Sequence, residues 1–135
     1  EILYIHIGGT GIGIGEQLWD IFEQEHDYNI STRINSDFNE ETKSVSDKYN
    51  SEVCFNENED GKFTPRAIFV DTDPFEIDKF SCSETGKLFE DSGEDLNFIK
   101  HESDSSSIYA KAHYIQGREM IEEIRNKIRK QSERC

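Results

Sequence analysis

The segment GGTGIGIG at residues 8–15 constrains this chain more than any other feature. It follows a nearly continuous apolar run, ILYIHI at residues 2–7, which is typical of a strand buried on both faces of a parallel sheet. Helical spacing of apolar residues then predicts a helix over residues 10–26 with Thr10 as its N-cap. The predicted apolar stripe comprises Ile14, Leu18, Ile21 and Phe22, with Trp19 beside them.

Glycines between a strand and a helix favour phosphate binding. They let the backbone turn sharply and approach a ligand closely, and the helix start presents unpaired N–H groups to an anion. A glycine-rich turn without a ligand has the same pattern. The segment is not a clean GxGxxG, because Ile14 stands where the third glycine falls, and no Lys-Ser/Thr pair follows to make a Walker A loop.

Composition excludes several classes of protein. The 135 residues fit one small domain, and a net charge of -14 is opposite to that of most nucleic-acid binders. Three cysteines without a CxxC pair favour a reducing compartment, and no stretch approaches the roughly 20 apolar residues of a membrane span. We therefore expect a soluble intracellular protein of the cytoplasm, with neither nucleic acid nor membrane as its partner.

A second buried strand is predicted at residues 67–70 (AIFV), and an acidic turn follows it. Asp71, Thr72 and Asp73 leave this strand at its carboxyl end, where ligands collect in open α/β sheets. Carboxylates there can hold Mg²⁺ directly or through water, although turn chemistry before Pro74 explains them equally well. A short helix is predicted over residues 75–80.

The last segment, residues 107–134, is the strongest predicted helix, with Ile121, Ile124 and Ile128 on one stripe. The residues before it, Asp104, Ser105, Ser106 and Ser107, fit a helix cap or a set of donors to phosphate. Residues 27–62 and 81–106 are predicted as long acidic loops, the first with a short strand near 53–55 and the second with short helical turns.

The order strand, glycine turn, helix, strand, acidic turn, helix predicts an α/β fold, a Rossmann-like parallel sheet with flanking helices. Two strands and two helices cannot cover both faces of a sheet, so we expect a segment beyond Cys135 or a partner to complete the core. No metal-ligand spacing links the four histidines, which are His6, His26, His101 and His113. No nucleophile, base and orienting group can be assembled into a catalytic site.

Three blocks of the sequence, in the right order, resemble the tubulin family. The first is residues 1–8 (EILYIHIG) with Gly15, Trp19 and the pair EH at 25–26. The second is Lys62 and residues 65–71 (PRAIFVD), with DP at 73–74 and ID at 77–78. The third is residues 109–114 (YAKAHY), GRE at 117–119 and IRK at 128–130. The HIG opening and the IRK run favour the alpha type over the beta and gamma types.

The resemblance implies that residues 1–135 are the incomplete N-terminal portion of a tubulin GTPase domain. It implies GTP and Mg²⁺ as cofactors, and head-to-tail assembly with beta-type tubulin subunits, or with a larger complex, in a cytoskeletal polymer. The residues it assigns to the nucleotide are Gly8, Gly9, Thr10, Gly11, Gly13, Asp71, Asp104, Ser105 and Ser107. Asp73 stands where the alpha type has a Glu near Mg²⁺.

The chain departs from the family at two positions of the first loop. The family usually carries glutamines there, one near the phosphates and Mg²⁺ and one near the guanine, where this chain has Gly9 and Gly13. Losing both removes side-chain hydrogen bonds, about 1–3 kcal/mol in all. In the third loop Ser107 replaces the usual Asn. The sequence also ends before the glycine-rich loop that is the family's main phosphate cradle.

Three functions therefore remain open. The first is a divergent, polymer-forming tubulin without independent GTPase activity, because the family's hydrolysing groups come from a neighbouring subunit. The second is a tubulin-derived scaffold or partner-binding module that has lost its nucleotide. The third, a dinucleotide-dependent oxidoreductase, requires an acidic residue about 20 positions beyond the glycines, and Asp71 comes far too late.

Overall fold

The computed structural model describes residues 2–25, 53–57, 63–92 and 97–133, and it confirms the predicted α/β class. Its strands are β1 (Tyr4–Ile7), β2 (Phe55–Glu57), β3 (Phe63–Pro65), β4 (Ala67–Asp71) and β5 (Phe98–Lys100). The main sheet is parallel, with β4 between β1 and β5. β2 and β3 form an antiparallel pair. All carboxyl ends of the main sheet therefore point to one edge.

The helices cover both faces of this sheet. They are α1 (Gly8–Glu25), α2 (Pro74–Ser81), a 3₁₀ helix (Thr85–Ser92), α3 (Tyr109–Lys111), a π-helical turn (Ala112–Gln116) and α4 (Gly117–Glu133). The predicted second helix and central strand are thus confirmed. Among the helices of the described ranges, none is long and apolar enough to cross a membrane.

An aromatic cluster fills the face of the sheet that carries α1, α2 and the 3₁₀ helix. Trp19 is fully buried at its centre and packs edge-on against Tyr4, Phe55 and Phe89. The ring of Phe69, from the central strand, packs against Phe89 in the same way, with centroids 5.3 Å apart. Each aromatic ring buries a large apolar area. A few short apolar segments are therefore enough to form this core in an otherwise acidic chain.

The buried face of α1 differs from the predicted stripe. Ile14 and Ile21 are exposed, and the buried residues are Ile12, Gly15 and Trp19. The reason is Gly15, where a Cβ atom would lie only 2.7 Å from a ring carbon of Phe69. At Gly15 the helix approaches the sheet closely because no side chain lies between them, a contact that a hydrophobic pattern does not register.

The opposite face of the sheet packs against α4. Ile68, Val70 and Ile99 are buried there against Met120. The predicted stripe is partly wrong, because Ile121 is exposed whereas Ile124 and Ile128 pack against this cluster; the buried residues of α4 are Met120, Lys127 and Gln131. The first strand is also less covered than predicted, since Ile5 and Ile7 are 43% and 71% exposed. It lies at one side of the three-stranded sheet, where α4 does not cover it among the described residues.

The two predicted acidic loops are partly structured. The second contains the 3₁₀ helix and β5, a strand of three residues whose sequence signal is too short to separate from a loop. β5 is held by its pairing with β4, in which Phe69 lies opposite Phe98. Most of the first loop lies outside the described residues, and its predicted strand near 53–55 is observed as β2 at Phe55–Glu57, paired with β3.

Candidate functional site

Three chain segments leave the carboxyl edge of the sheet side by side. α1 begins directly at the end of β1, the acidic turn 71–73 follows β4, and residues 101–108 follow β5. The backbone N–H of His101 donates to the carbonyl of Asp71 over 3.3 Å, which ties the second and third segments together. This is the edge at which open α/β sheets bind ligands.

The first segment turns from strand to helix without a linker. Gly8, at φ +74°, is the only described glycine in the left-handed region, where glycine has no steric penalty. The helix begins at Gly8, so the prediction of Thr10 as N-cap is wrong, and Thr10 lies exposed inside the helix. Strand and helix are joined so tightly that a separate capping residue has no place between them.

The remaining glycines of this segment have different surroundings. A Cβ atom on Gly9 would lie 3.9 Å from Oδ2 of Asp71, an ordinary contact, so this glycine faces the acidic turn across the edge. A Cβ on Gly11 would lie 3.3 Å from the backbone of His6, so Gly11 permits close packing of helix on strand. Gly13 is exposed, with nothing within 4 Å of its Cβ position.

The acidic turn after β4 is held by its own carboxylates. Oδ1 of Asp71 accepts from the backbone N–H of Asp73 over 3.0 Å. Oδ1 of Asp73 accepts from the N–H of Phe75 over 2.9 Å and caps α2, which begins at Pro74. Turn chemistry therefore explains one oxygen of each carboxylate, and the second oxygens remain suited to a cation.

The third segment contains Asp104, Ser105 and Ser107, and its backbone is strained. Ser106 and Ser107 have φ of 56° and 59°, a conformation that costs about 1–2 kcal/mol for each non-glycine residue. The prediction that this stretch caps the last helix is wrong, because Ile108 is the N-cap and no side chain caps α3. Strained residues in an exposed loop are a mark of functional sites.

These residues fit a phosphate group. The N-terminal turn of α1 offers backbone N–H groups, and Gly8, Gly9 and Gly11 have no side chain to cover them. Within the described ranges, no three His, Cys, Asp or Glu side chains gather to hold a metal ion. Mg²⁺ bound with a polyphosphate needs only one or two carboxylates, since phosphate oxygens supply other ligands, and Asp73 fits that requirement.

One cluster at this edge is absent from the sequence-based expectations. Nε2 of His101 lies 3.0 Å from Oε2 of Glu119 in α4. Gln116, the last residue of the π-helical turn, is fully buried and donates to the backbone carbonyl of Ser103. The one available signal was the position of Gln116 four residues before Met120, which places both on one helical face.

Two histidines of the described region have shifted pKa values. Burial lowers the pKa of His6 below its ordinary value of 6.5, and a hydrogen bond to the Gly11 backbone opposes that shift only in part. The hydrogen bond to Glu119 raises the pKa of His101 above 6.5, with smaller contributions from Ser103 and Glu102. Burial also raises the pKa of Tyr4 and of Glu23.

Comparison with known proteins gives a consistent result along the entire chain. The profile of the Tubulin/FtsZ family, GTPase domain, matches residues 1–135. The chain is 33% identical to the tubulin alpha-2 chain of Schizosaccharomyces pombe and 31% identical to the tubulin beta-3 chain of Echinococcus multilocularis, each over 135 residues. It is 35% identical to the tubulin beta chain of Candida albicans over 136 residues. Each match covers 100% of this chain but only 28% of the relative's length.

Proposed function

Since the chain belongs to the Tubulin/FtsZ family, GTPase domain, we propose that it is part of a divergent alpha-type tubulin with GTP at a subunit interface. In this proposal residues 1–135 form the N-terminal part of the nucleotide-binding domain. The protein is a structural constituent of a microtubule-type polymer in the cytoplasm, and its partners are beta-type subunits in head-to-tail contact. This role belongs to the whole protein, because the chain covers only 28% of the length of its relatives.

The observation that carries the proposal is the meeting of three segments at the carboxyl edge of one parallel sheet. Gly9 of the first segment faces Asp71 of the second, and Asp71 is tied through its backbone to His101 of the third. The phosphates lie on the start of α1, which presents N–H groups and the positive end of the helix dipole to an anion. A single glycine turn is a weak signal; the convergence of three segments supports ligand binding at this edge, and the family favours GTP as the ligand.

The proposed residues divide by segment. Gly8, Gly9, Thr10, Gly11 and Gly13 belong to the first segment, Asp71 to the second, and Asp104, Ser105 and Ser107 to the third. Asp73 supplies one carboxylate oxygen to Mg²⁺, which in turn neutralises part of the polyphosphate charge. Because the hydrolysing groups of tubulins come from a neighbouring subunit, we propose no GTPase activity by this protein alone.

The alpha type is proposed on two sequence features. These are the opening at His6, Ile7 and Gly8, and the run at Ile128, Arg129 and Lys130. Overall identity does not separate the types, since alpha and beta chains match this chain at 30–35%. An experiment on which tubulin type this protein assembles with is therefore needed to distinguish the alpha type from the beta type.

Co-sedimentation tests the polymer role. The protein, at the length at which it occurs, is mixed with purified beta-type tubulin and with alpha-type tubulin in separate samples containing GTP and Mg²⁺. The proposal predicts pelleting with the beta-type partner and no GTP hydrolysis by the protein alone. Steady GTP turnover without polymer, or equal failure with both partners, contradicts it.

A second candidate function is a tubulin-derived scaffold that binds a partner without nucleotide. It is favoured by Gly9 and Gly13, where the family carries glutamines that contact the nucleotide. Both glycines lie beside open space or ordinary contacts, so the fold does not require glycine at either position. The nucleotide content of the native protein separates the two candidates.

A further inference from the structure

The buried amide of Gln116 is in an unusual position for a helix residue. It lies at the end of the π-helical turn, a local distortion often found at functional sites, and is 0% exposed. Within the described residues its side-chain hydrogen bonds run through Nε2, to the carbonyl and hydroxyl of Ser103 and to Nδ1 of His101. Its Oε1 has no partner among the described residues.

A buried amide with an unpaired oxygen is an unfavourable choice for stability alone. An apolar side chain of similar size would fill the same space without burying a polar atom that lacks a hydrogen bond. The amide is therefore favourable only through the hydrogen bond that Nε2 donates to the backbone of Ser103. The flipped amide is ruled out, because it would place Oε1 against the carbonyl oxygen of Ser103.

His101 holds the same point from the other side. Its Nε2 lies 3.0 Å from Oε2 of Glu119. Its Nδ1 lies 3.1 Å from both the backbone nitrogen and the carbonyl oxygen of Ser103, and 3.3 Å from Nε2 of Gln116. In the neutral ring with its proton on Nε2, Nδ1 accepts from the N–H of Ser103, and in the charged ring Nδ1 donates to the carbonyl of Ser103. His101 and Gln116 together therefore contact both the backbone N–H and the carbonyl of Ser103.

The strained part of the loop begins three residues later. Two further hydrogen bonds hold the loop between Ser103 and the strained residues. Nζ of Lys111 donates to the carbonyl of Asp104 over 2.6 Å, and the N–H of Ile108 donates to the carbonyl of Ser105 over 3.1 Å. Ser106 and Ser107, both at positive φ, lie between the residues that make these hydrogen bonds. Strained backbone persists only where surrounding contacts fix it.

We propose that Gln116 and His101 are positioning residues that fix Ser103 and thereby hold Ser105–Ser107 in the strained conformation that faces the nucleotide. Neither side chain contacts the ligand itself. The effect on ligand affinity rests on the proposed function, whereas the effect on loop conformation does not. The two can therefore fail separately.

The test compares two buried glutamines of one continuous helical segment. Gln116→Met removes the grip on Ser103 together with the unpaired Oε1. Gln131→Met is the matched control, because Gln131 is 3% exposed and contacts Asn97 and Asn56 at the other end of α4, away from the loop. The full chain is labelled with ¹³C on serine, and the Cα and Cβ chemical shifts of Ser106 and Ser107 report their φ angles.

We expect Gln116→Met to move both serine signals to negative-φ values while the melting temperature is retained or raised. Gln131→Met is expected to lower the melting temperature and leave those signals in place. For GTP with Mg²⁺, Gln116→Met is expected to weaken binding about tenfold, the loss of roughly one well-formed hydrogen bond. His101→Phe, which keeps a flat ring but no acceptor, is expected to shift the same two signals.

Unchanged serine signals in both Gln116→Met and His101→Phe overturn the inference. If Gln116→Met does not fold, His101→Phe decides alone. If the parent protein binds no GTP, the proposed function fails while the serine signals still decide the positioning role. Signals that shift in Gln131→Met to the same extent also overturn it, because the effect then reflects general loosening of the helix.

Discussion

The indole Nε1 of Trp19 donates a hydrogen bond of 3.2 Å to Nε2 of His6, and this bond joins α1 to β1 inside the core. Nε2 of His6 is therefore unprotonated in the folded state. The ring also stacks on Phe69, with centroids 4.6 Å apart, and is 8% exposed. Protonation would remove the acceptor and place a charge among aromatic rings.

Stability is expected to fall at acid pH through His6. Burial lowers the pKa of His6 in the folded state, so the unfolded chain takes up this proton first. The contribution is fully present above pH 6.5, the ordinary value, and is lost as pH falls through the folded pKa. Urea unfolding at several pH values between 7 and 5 measures it. His6→Gln is expected to make the loss on acidification shallower, and an unchanged slope contradicts this assignment.

His101 is expected to act in the opposite direction. Its hydrogen bond to Glu119 raises its pKa, with help from Glu102, so its contribution is fully present below pH 6.5 and is lost as pH rises through the folded pKa. Removing it with His101→Gln should make the loss of stability on acidification steeper. The same urea series provides the measurement. A shallower slope in this variant would show that the Glu119 contact does not favour the charged ring.

Two glycines of α1 provide a matched pair. A Cβ on Gly15 would lie 2.8 Å from Nδ1 of His6 and 2.7 Å from Phe69, so Gly15→Ala should cost about 1–3 kcal/mol in unfolding free energy. Gly13→Ala meets nothing within 4 Å and should gain about 0.5–1 kcal/mol from helix propensity. Urea denaturation of both variants checks the pair. Equal effects on the two would mean that α1 does not approach the sheet at Gly15.

The central part of the fold is predictable from the sequence because its signals are local. The run from Ala67 to Val70 is apolar at every position, and it forms the fully buried middle strand. The parallel order of β1 and β4 follows from strand, glycine turn and helix. These elements satisfy their own preferences and the fold at the same time.

The remaining elements depend on contacts between distant residues. β5 has three residues and exists through its pairing with β4, which no local pattern records. The buried face of α1 includes Gly15 between Ile12 and Trp19, and the close approach of Gly15 to Phe69 leaves no apolar signal in the sequence. Gln116 is the last residue of a π-helical turn, and no local pattern of the sequence predicts that turn or the contact of Gln116 with Ser103.

Restoring side chains at the first segment should strengthen nucleotide binding. Gly9 has only ordinary contacts at its Cβ position and Gly13 has none, so a side chain can begin at either one without a clash at Cβ. The double variant Gly9→Gln and Gly13→Gln is expected to bind GTP tighter by about 1–3 kcal/mol, the value of the added hydrogen bonds. Isothermal titration with GTP and Mg²⁺ measures the gain.

The matched control for that variant is Gly9→Ala with Gly13→Ala. It adds helix propensity without an amide, so its affinity for GTP should equal that of the parent protein. A gain of the same size in both double variants would attribute the effect to helix stability. No gain in the glutamine variant would place the nucleotide elsewhere than at the start of α1.

The nucleotide content of the native protein tests the central claim most directly. The protein is isolated at the length at which it occurs, without added nucleotide, then denatured, and the released material is separated by HPLC. The proposed function predicts guanine nucleotide close to one equivalent per chain. Protein that is folded, assembled with its partners and free of guanine nucleotide contradicts it and supports the scaffold instead.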